Sequence, residues 1–266
     1  MRRSASFSVT KALAAAFSGL PAAWAGAGLA LLLLWALMTG GPLVATYFHT
    51  FWVCVAWIFA LCLAKLMSVG ALYRTALFGK DARKAGLGIG GLQIGAPELR
   101  LVVASLLAGV FFALIAGAIG IVFTVMLRMN EVDLYHGGAW TVAGAIVASA
   151  ILLFVVLKFT LLHAANIAQS KLVVLNALGL SSGQVGKLFA GIVILVLPFA
   201  LICAGLAHHF APEIRLAHAL PYPWMNQRMT LLLQGGLLFL NIGLLLPLLT
   251  GFFASAYRQI ENIRAQ

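Results

Sequence analysis

Six apolar runs, near Pro21–Met38, Phe51–Leu66, Leu101–Leu127, Trp140–Leu162, Leu188–Ala207 and Met229–Ala256, constrain this chain more than any other feature. None contains Asp or Glu, and the only charges inside them are Lys65 and Lys158, near one end of their runs. A helix needs roughly 20 apolar residues to cross a hydrocarbon layer about 30 Å thick. Backbone amides in that layer must be paired within the protein, which leaves helices or a closed barrel. Barrel strands alternate apolar and polar residues over about ten positions. The stretch Leu29–Met38, LALLLLWALM, does not alternate. The expected fold is all-α: a polytopic membrane protein with six transmembrane helices, residues 1–266 forming a single integral membrane domain. Composition agrees, being 63% hydrophobic and 9% charged, where a soluble domain is about half apolar and a quarter charged.

The segment ahead of the first run, MRRSASFSVTKALAAAFSGLPAAWAG, has the basic residues, apolar stretch and small-residue AWA of a secretory signal. Its hydrophobicity is too low to span. Ser6–Leu20 puts Phe7, Leu13 and Phe17 near one side, so an interfacial amphipathic helix within residues 1–20 is expected before the first span.

Lysine and arginine give the threading. Assigned to the nearer end of each run, Arg2, Arg3, Lys11, Lys65, Arg74, Lys80, Arg83, Lys84, Arg100, Lys158, Lys171, Lys187, Arg258 and Arg264 share one side, and Arg128, Arg215 and Arg228 the other, a division of 14 to 3. Basic residues are retained on the cytoplasmic side, so both termini and the second and fourth loops are expected there. The acids divide evenly, Asp81, Glu98 and Glu261 inside and Glu131, Asp133 and Glu213 outside, so the net +11 belongs to the cytoplasmic face (14 − 3 inside, 3 − 3 outside). These cations are scattered singly at span ends. That pattern marks topology and attraction to anionic headgroups, and no nucleic-acid partner is expected.

Within Gly79–Arg100, GKDARKAGLGIGGLQIGAPELR, the glycines Gly86, Gly88 and Gly91 are spaced as G-x-G-x-x-G. A dinucleotide fingerprint needs a strand before it, a helix after it and an acid about 20 residues on. A span end precedes this one and span 3 follows, so the match is accidental and the loop reads as a flexible connector. Pro97 suits a first helical turn, and Glu98 complements the positive end of span 3.

Chemistry is sparse. Lys65 and Lys158 sit where a long side chain can snorkel to the interface. Gln234 and Asn241 in span 6, seven residues apart, fall near one face. They suit an interhelical hydrogen bond or, in the sharper reading, the polar lining of a path. Ala113, Gly117 and Gly120 in span 3 and Gly144 and Ala148 in span 4 read as close-packing positions, and Pro198 as a kink in span 5. Five of the six histidines, His49, His136, His208, His209 and His218, fall outside with the three outer acids. A metal site drawing on His136, His208, His209 and Glu213 has suitable ligand types, but no H-x-x-x-H or H-E-x-x-H spacing occurs. Tyr222 and Trp224 suit an aromatic belt. Ser181 and Ser182 lack a G-x-S-x-G elbow. Cys54, Cys62 and Cys203 lie in spans, where thiols behave as small apolar groups. No catalytic residue and no cofactor is assigned.

Three segments, FSVTKALAAAF, GALYRTALFG…GL and ALGLSSGQVGKLFAGIVILV, together resemble uncharacterised bacterial six-helix inner-membrane proteins related to the membrane domain that accompanies some glycerophosphodiester phosphodiesterases. That group carries an aromatic-x-Leu-Thr-x-Gly segment before its fifth span. Leu178, Leu180, Ser181 and Gly183 occupy the corresponding places here, without the aromatic residue and the threonine. The resemblance implies a multi-pass protein of the bacterial inner membrane and brings no catalytic residues. The function expected is non-enzymatic: an accessory or envelope-maintenance protein that binds membrane lipids, a membrane protein partner or a second copy of itself. A small transporter or channel with a path along Gln234 and Asn241 is the alternative, and a membrane enzyme using the outer metal ligands is a third reading.

Overall fold

A computed structural model of the chain describes residues 7–47, 50–129, 138–219 and 223–264. They form helices α1 (Val9–Tyr47), α2 (Phe51–Phe78), α3 (Ala96–Met129), α4 (Ala139–Phe159), α5 (Leu162–Gln169), α6 (Leu175–Leu180), α7 (Val185–Ala219), α8 (Pro223–Phe239) and α9 (Leu246–Arg264), with no strand among the described residues. A π-helical turn, Leu240–Leu245, joins α8 to α9. Six helical stretches are long and apolar enough to cross a membrane, and each contains or overlaps one of the six runs read from the sequence.

The core lies where α1, α2 and α9 meet. Along α1, Ala12, Ala16, Ala23, Ala27 and Ala30 are all buried. These positions recur every three, four or seven residues and so share a face. Their small side chains let other backbones come close: a methyl group added at Gly251 of α9 would stand 3.1 Å from Ala16 Cα. Two tryptophans on α1 then reach across to the last span. Pro247 has no backbone N–H, so it cannot satisfy the carbonyl four residues earlier. That carbonyl, Gly243 O, accepts a hydrogen bond from Trp24 Nε1 at 2.9 Å. Trp35 Nε1 donates to Gly235 O at 2.8 Å. The π-helical turn ends at Leu245, two residues before Pro247, as expected where the ordinary helical ladder is interrupted.

Three expectations change. The segment expected as a separate interfacial helix is continuous with the first span in α1, and its apolar residues do not share one environment: Phe7 is buried with its ring edge-on to Phe252 at 6.2 Å, Leu13 is half-buried and Phe17 is exposed. The small residues of span 3 do not pack closely. Ala113, Gly117 and Gly120 are exposed, and nothing lies within 4 Å of a methyl group added at either glycine. In span 4, Gly144 has the Phe123 ring against it, and Ala148 is half-buried. The close packing is on α1 instead, whose alanines face both α2 and α9.

The glycine-rich connector is not a loose loop either. It forms two short 3-10 turns, Gly79–Asp81 and Ile89–Gly91, and the second lies against α1. Gly91 is buried with φ +86°, and a methyl group there would stand 2.9 Å from both Ala27 Cα and Ala71 Cβ. Glycine is required at this position twice over, by the positive φ and by the contact.

Candidate functional site

Polar side chains gather at the lysine- and arginine-rich end of the bundle, and their partners are mostly in this chain. Arg74, near the end of α2, and Glu98, in the first turn of α3, are 2% and 1% exposed, with Nη1 and Oε1 2.5 Å apart. Either charge alone would be costly to bury; the pair removes most of that cost. The surroundings are shaped to it. A methyl group at Gly70 would stand 2.8 Å from Glu98 Oε1. Gln93 Nε2 approaches the same oxygen at 3.5 Å, while Gln93 Oε1 accepts from the Gly88 backbone N–H at 2.8 Å. The clasp thus fixes the glycine-rich turn to the ends of two spans. Glu98 Oε2 is buried without a hydrogen-bond partner among the described residues.

The connection from α4 to α7 is held by the buried side chain of Asn166. Its Nδ2 donates to Leu162 O and Val173 O at 2.8 and 2.7 Å, and its Oδ1 accepts from Val173 N at 2.9 Å. Between them Ser170 takes a left-handed φ of +51°, and its carbonyl accepts from Arg100. Lys158 Nζ donates to Ser182 Oγ at 2.9 Å and lies over the Phe154 ring. Ser181 Oγ donates to Lys158 O. Lys187 binds Phe7 O, Arg258 binds Ala76 O and Arg264 binds Gly179 O. Residues read as a topology signal therefore also tie helix ends together.

His163, the one histidine of this end, stacks on Tyr73 at 6.1 Å, and its Nε2 stands 3.0 Å from Ser105 Oγ. A hydroxyl beside an imidazole is two parts of a nucleophile–base–orienter set. Among the described residues no carboxylate hydrogen-bonds to the ring. The geometry fits a polar tie between α3 and α5.

The residues singled out in the sequence are not brought together. Gln234 is half-buried and Asn241 exposed on the first part of the π-helical turn. Neither lines either of the two apolar grooves on the flanks, and Gly235 and Gly243 of this span accept interhelical bonds from the tryptophans of α1. His208 and His209 are exposed neighbours on α7, and successive helical residues do not face one another. His49, Glu131, Asp133, His136 and Tyr222 lie outside the described residues, as do the side chains of Glu213, His218 and Trp224. The described residues contain no group of three metal-ligating side chains. Cys54, Cys62 and Cys203 are free thiols.

What the fold leaves open is lateral and apolar. In the stretch Ile89–Met126 none of the most apolar eighteen-residue window is buried, whereas 44% of the corresponding window of Leu231–Arg264 is. Two grooves open on the flanks. One, of about 460 Å³, runs between Leu206 and Phe210 of α7 and Leu233, Gly236 and Leu237 of α8. The other, of about 520 Å³, runs between Leu107, Val110, Phe111 and Leu114 of α3 and Leu172, Val174, Leu175 and Asn176 beside and within α6. Comparison of the chain with known protein families, characterised proteins and solved structures gives no match.

The Arg74–Glu98 pair and Asn166 escaped the sequence reading. A signal existed for the first: an acid and an arginine flanking one connector, next to a glycine on each helix side.

Proposed function

We propose that this protein is a non-enzymatic component of the bacterial inner membrane, threaded with its basic end in the cytoplasm, which works by holding lipids or another membrane protein against its lateral surface. One observation carries the reading: a full transmembrane helix, α3, whose most apolar window buries no residue in its own bundle. Packing within the chain accounts best for α1 and α9, whose most apolar windows are 28% and 44% buried, and leaves α3 as surface for other molecules. Hydrogen-bonding groups at the basic end are largely engaged in ties between helices, which favours a structural role for them over turnover of a substrate. The threading rests on the 14 to 3 division of basic residues.

Purification in mild detergent from native membranes, followed by mass spectrometry of retained lipids and proteins, tests the reading. A stoichiometric partner or an enriched lipid is expected, and a preparation free of both would sink it. Threading is checked separately with a cysteine at Arg83, which is exposed. Labelling of that cysteine by a membrane-impermeant reagent added outside intact cells would reverse the assignment.

A further inference from the structure

We propose that the groove between α3 and α6 is a binding site for one anionic phospholipid, its phosphate held by Arg100 and Lys171 and an acyl chain lying along Leu107, Phe111 and Leu114. The inference rests on the lateral-binding reading and gives it an occupant. Positions 100, 107, 111 and 114 fall on one face of α3, with Arg100 about 10 Å below Leu107 along the axis. Arg100 also anchors the segment that forms the opposite wall, because its guanidinium donates to Ser170 O, and Lys171 and Leu172 follow directly. One wall of the groove thus begins where the cations are.

Charge at this foot is uncompensated. The three acids assigned to this end are engaged elsewhere: Glu98 with Arg74, Asp81 with Lys84, and Glu261 as acceptor from Tyr257. Lys171 is exposed, and neither its ammonium nor the remaining guanidinium N–H groups of Arg100 have a partner among the described residues. Asn176, at the groove wall, also presents a free amide. A phosphate diester bearing a net negative charge answers the two cations, and the apolar walls answer its chain. Neither groove has a cation among its lining residues, but Lys171 directly precedes Leu172 of the α3/α6 groove, whereas no lysine or arginine adjoins a lining residue of the α7/α8 groove in the chain.

The full-length protein, delipidated in non-ionic detergent, is titrated with phosphatidylglycerol and with phosphatidylcholine of identical chains, and occupancy is read by native mass spectrometry. A preference for phosphatidylglycerol of roughly five-fold per cation is expected. Lys171→Glu should remove most of the preference. Leu175→Trp, filling the groove, should lower occupancy by both lipids without changing their ratio. Both side chains are exposed, so folding should be retained. Equal binding of the two lipids by the unaltered protein would overturn the proposal. So would a dimer that excludes lipid from the groove, with Leu175→Trp restoring the monomer. If neither substitution changes retention while lipid or a partner still co-purifies, this site falls and the lateral-binding reading stands. A preparation that retains neither lipid nor partner removes both.

Discussion

The α3–α4 hairpin is the more apolar in sequence and the α1–α2–α9 core the less, yet it is the core that packs. In the core, alanines and glycines admit neighbouring backbones, and tryptophan indoles bridge to carbonyls 200 and 219 residues away in the chain. In the hairpin, Ala113, Gly117 and Gly120 are just as small and all exposed, and nothing lies within 4 Å of a methyl group added at either glycine. Lipid tails are as apolar as leucine, so hydrophobicity by itself draws no two helices together in a bilayer. Association follows from fit and from polar groups needing partners. The core has both, while the hairpin has few of either within this chain.

Substitutions can break this contrast, beginning at the buried ion pair. Arg74→Ala strands Glu98 in a buried site and should cost about 3–5 kcal/mol, read as a large fall in the midpoint of thermal unfolding in detergent. The double replacement Arg74→Met, Glu98→Leu should recover much of that loss; a double variant as unstable as the single one would show that the pair does more than neutralise itself. Next comes Gly91→Val. With φ +86° and Ala27 Cα in the way, it should cost on the order of 1–3 kcal/mol and expose the connector to protease. Unchanged proteolysis would return the connector to a loose loop. Asn166→Leu leaves the Val173 backbone groups unpaired, for about 1–3 kcal/mol, and should loosen the α5–α6 segment, as hydrogen exchange at Val173 would report. Trp24→Phe removes one indole bond and should shift stability by only about 0.6 kcal/mol. Smallest of all, Gly120→Leu in α3 should leave the isolated protein within about 0.5 kcal/mol of its starting stability. A large loss there would mean that α3 is packed after all, and the contrast would fail.

The six spans were legible because run length and absence of charge are local properties. Partner choice was not. Whether Ala113 or Ala16 meets another backbone depends on residues far away in sequence, and one helix's small residues look like another's. The basic end misled in a different way. A rule that counts lysines and arginines by side treats Arg74 like Lys80, although one is buried against Glu98 and the other is exposed. The glycine connector was read as flexible because glycine serves both freedom and close approach, and only the opposing surface, Ala27 and Ala71, decides between them. Asn166 offered no pattern at all, since its partners are backbone groups that every residue carries. The amides that did stand out, Gln234 and Asn241, were conspicuous through rarity in an apolar run, and the fold gives neither a hydrogen-bond partner within the described structure.

The hydrogen bond from Trp24 to Gly243 has a consequence in time. Trp24 leaves the ribosome 219 residues before its acceptor. At about 5–20 residues per second, the first helix waits on the order of ten to forty seconds, in the membrane, before its deepest partner exists. Throughout that interval its two indoles and the part of its alanine face around Ala16 are open to whatever helices stand nearby, so insertion machinery, chaperones or a waiting partner protein would meet this chain at its most associative moment before α9 closes the core.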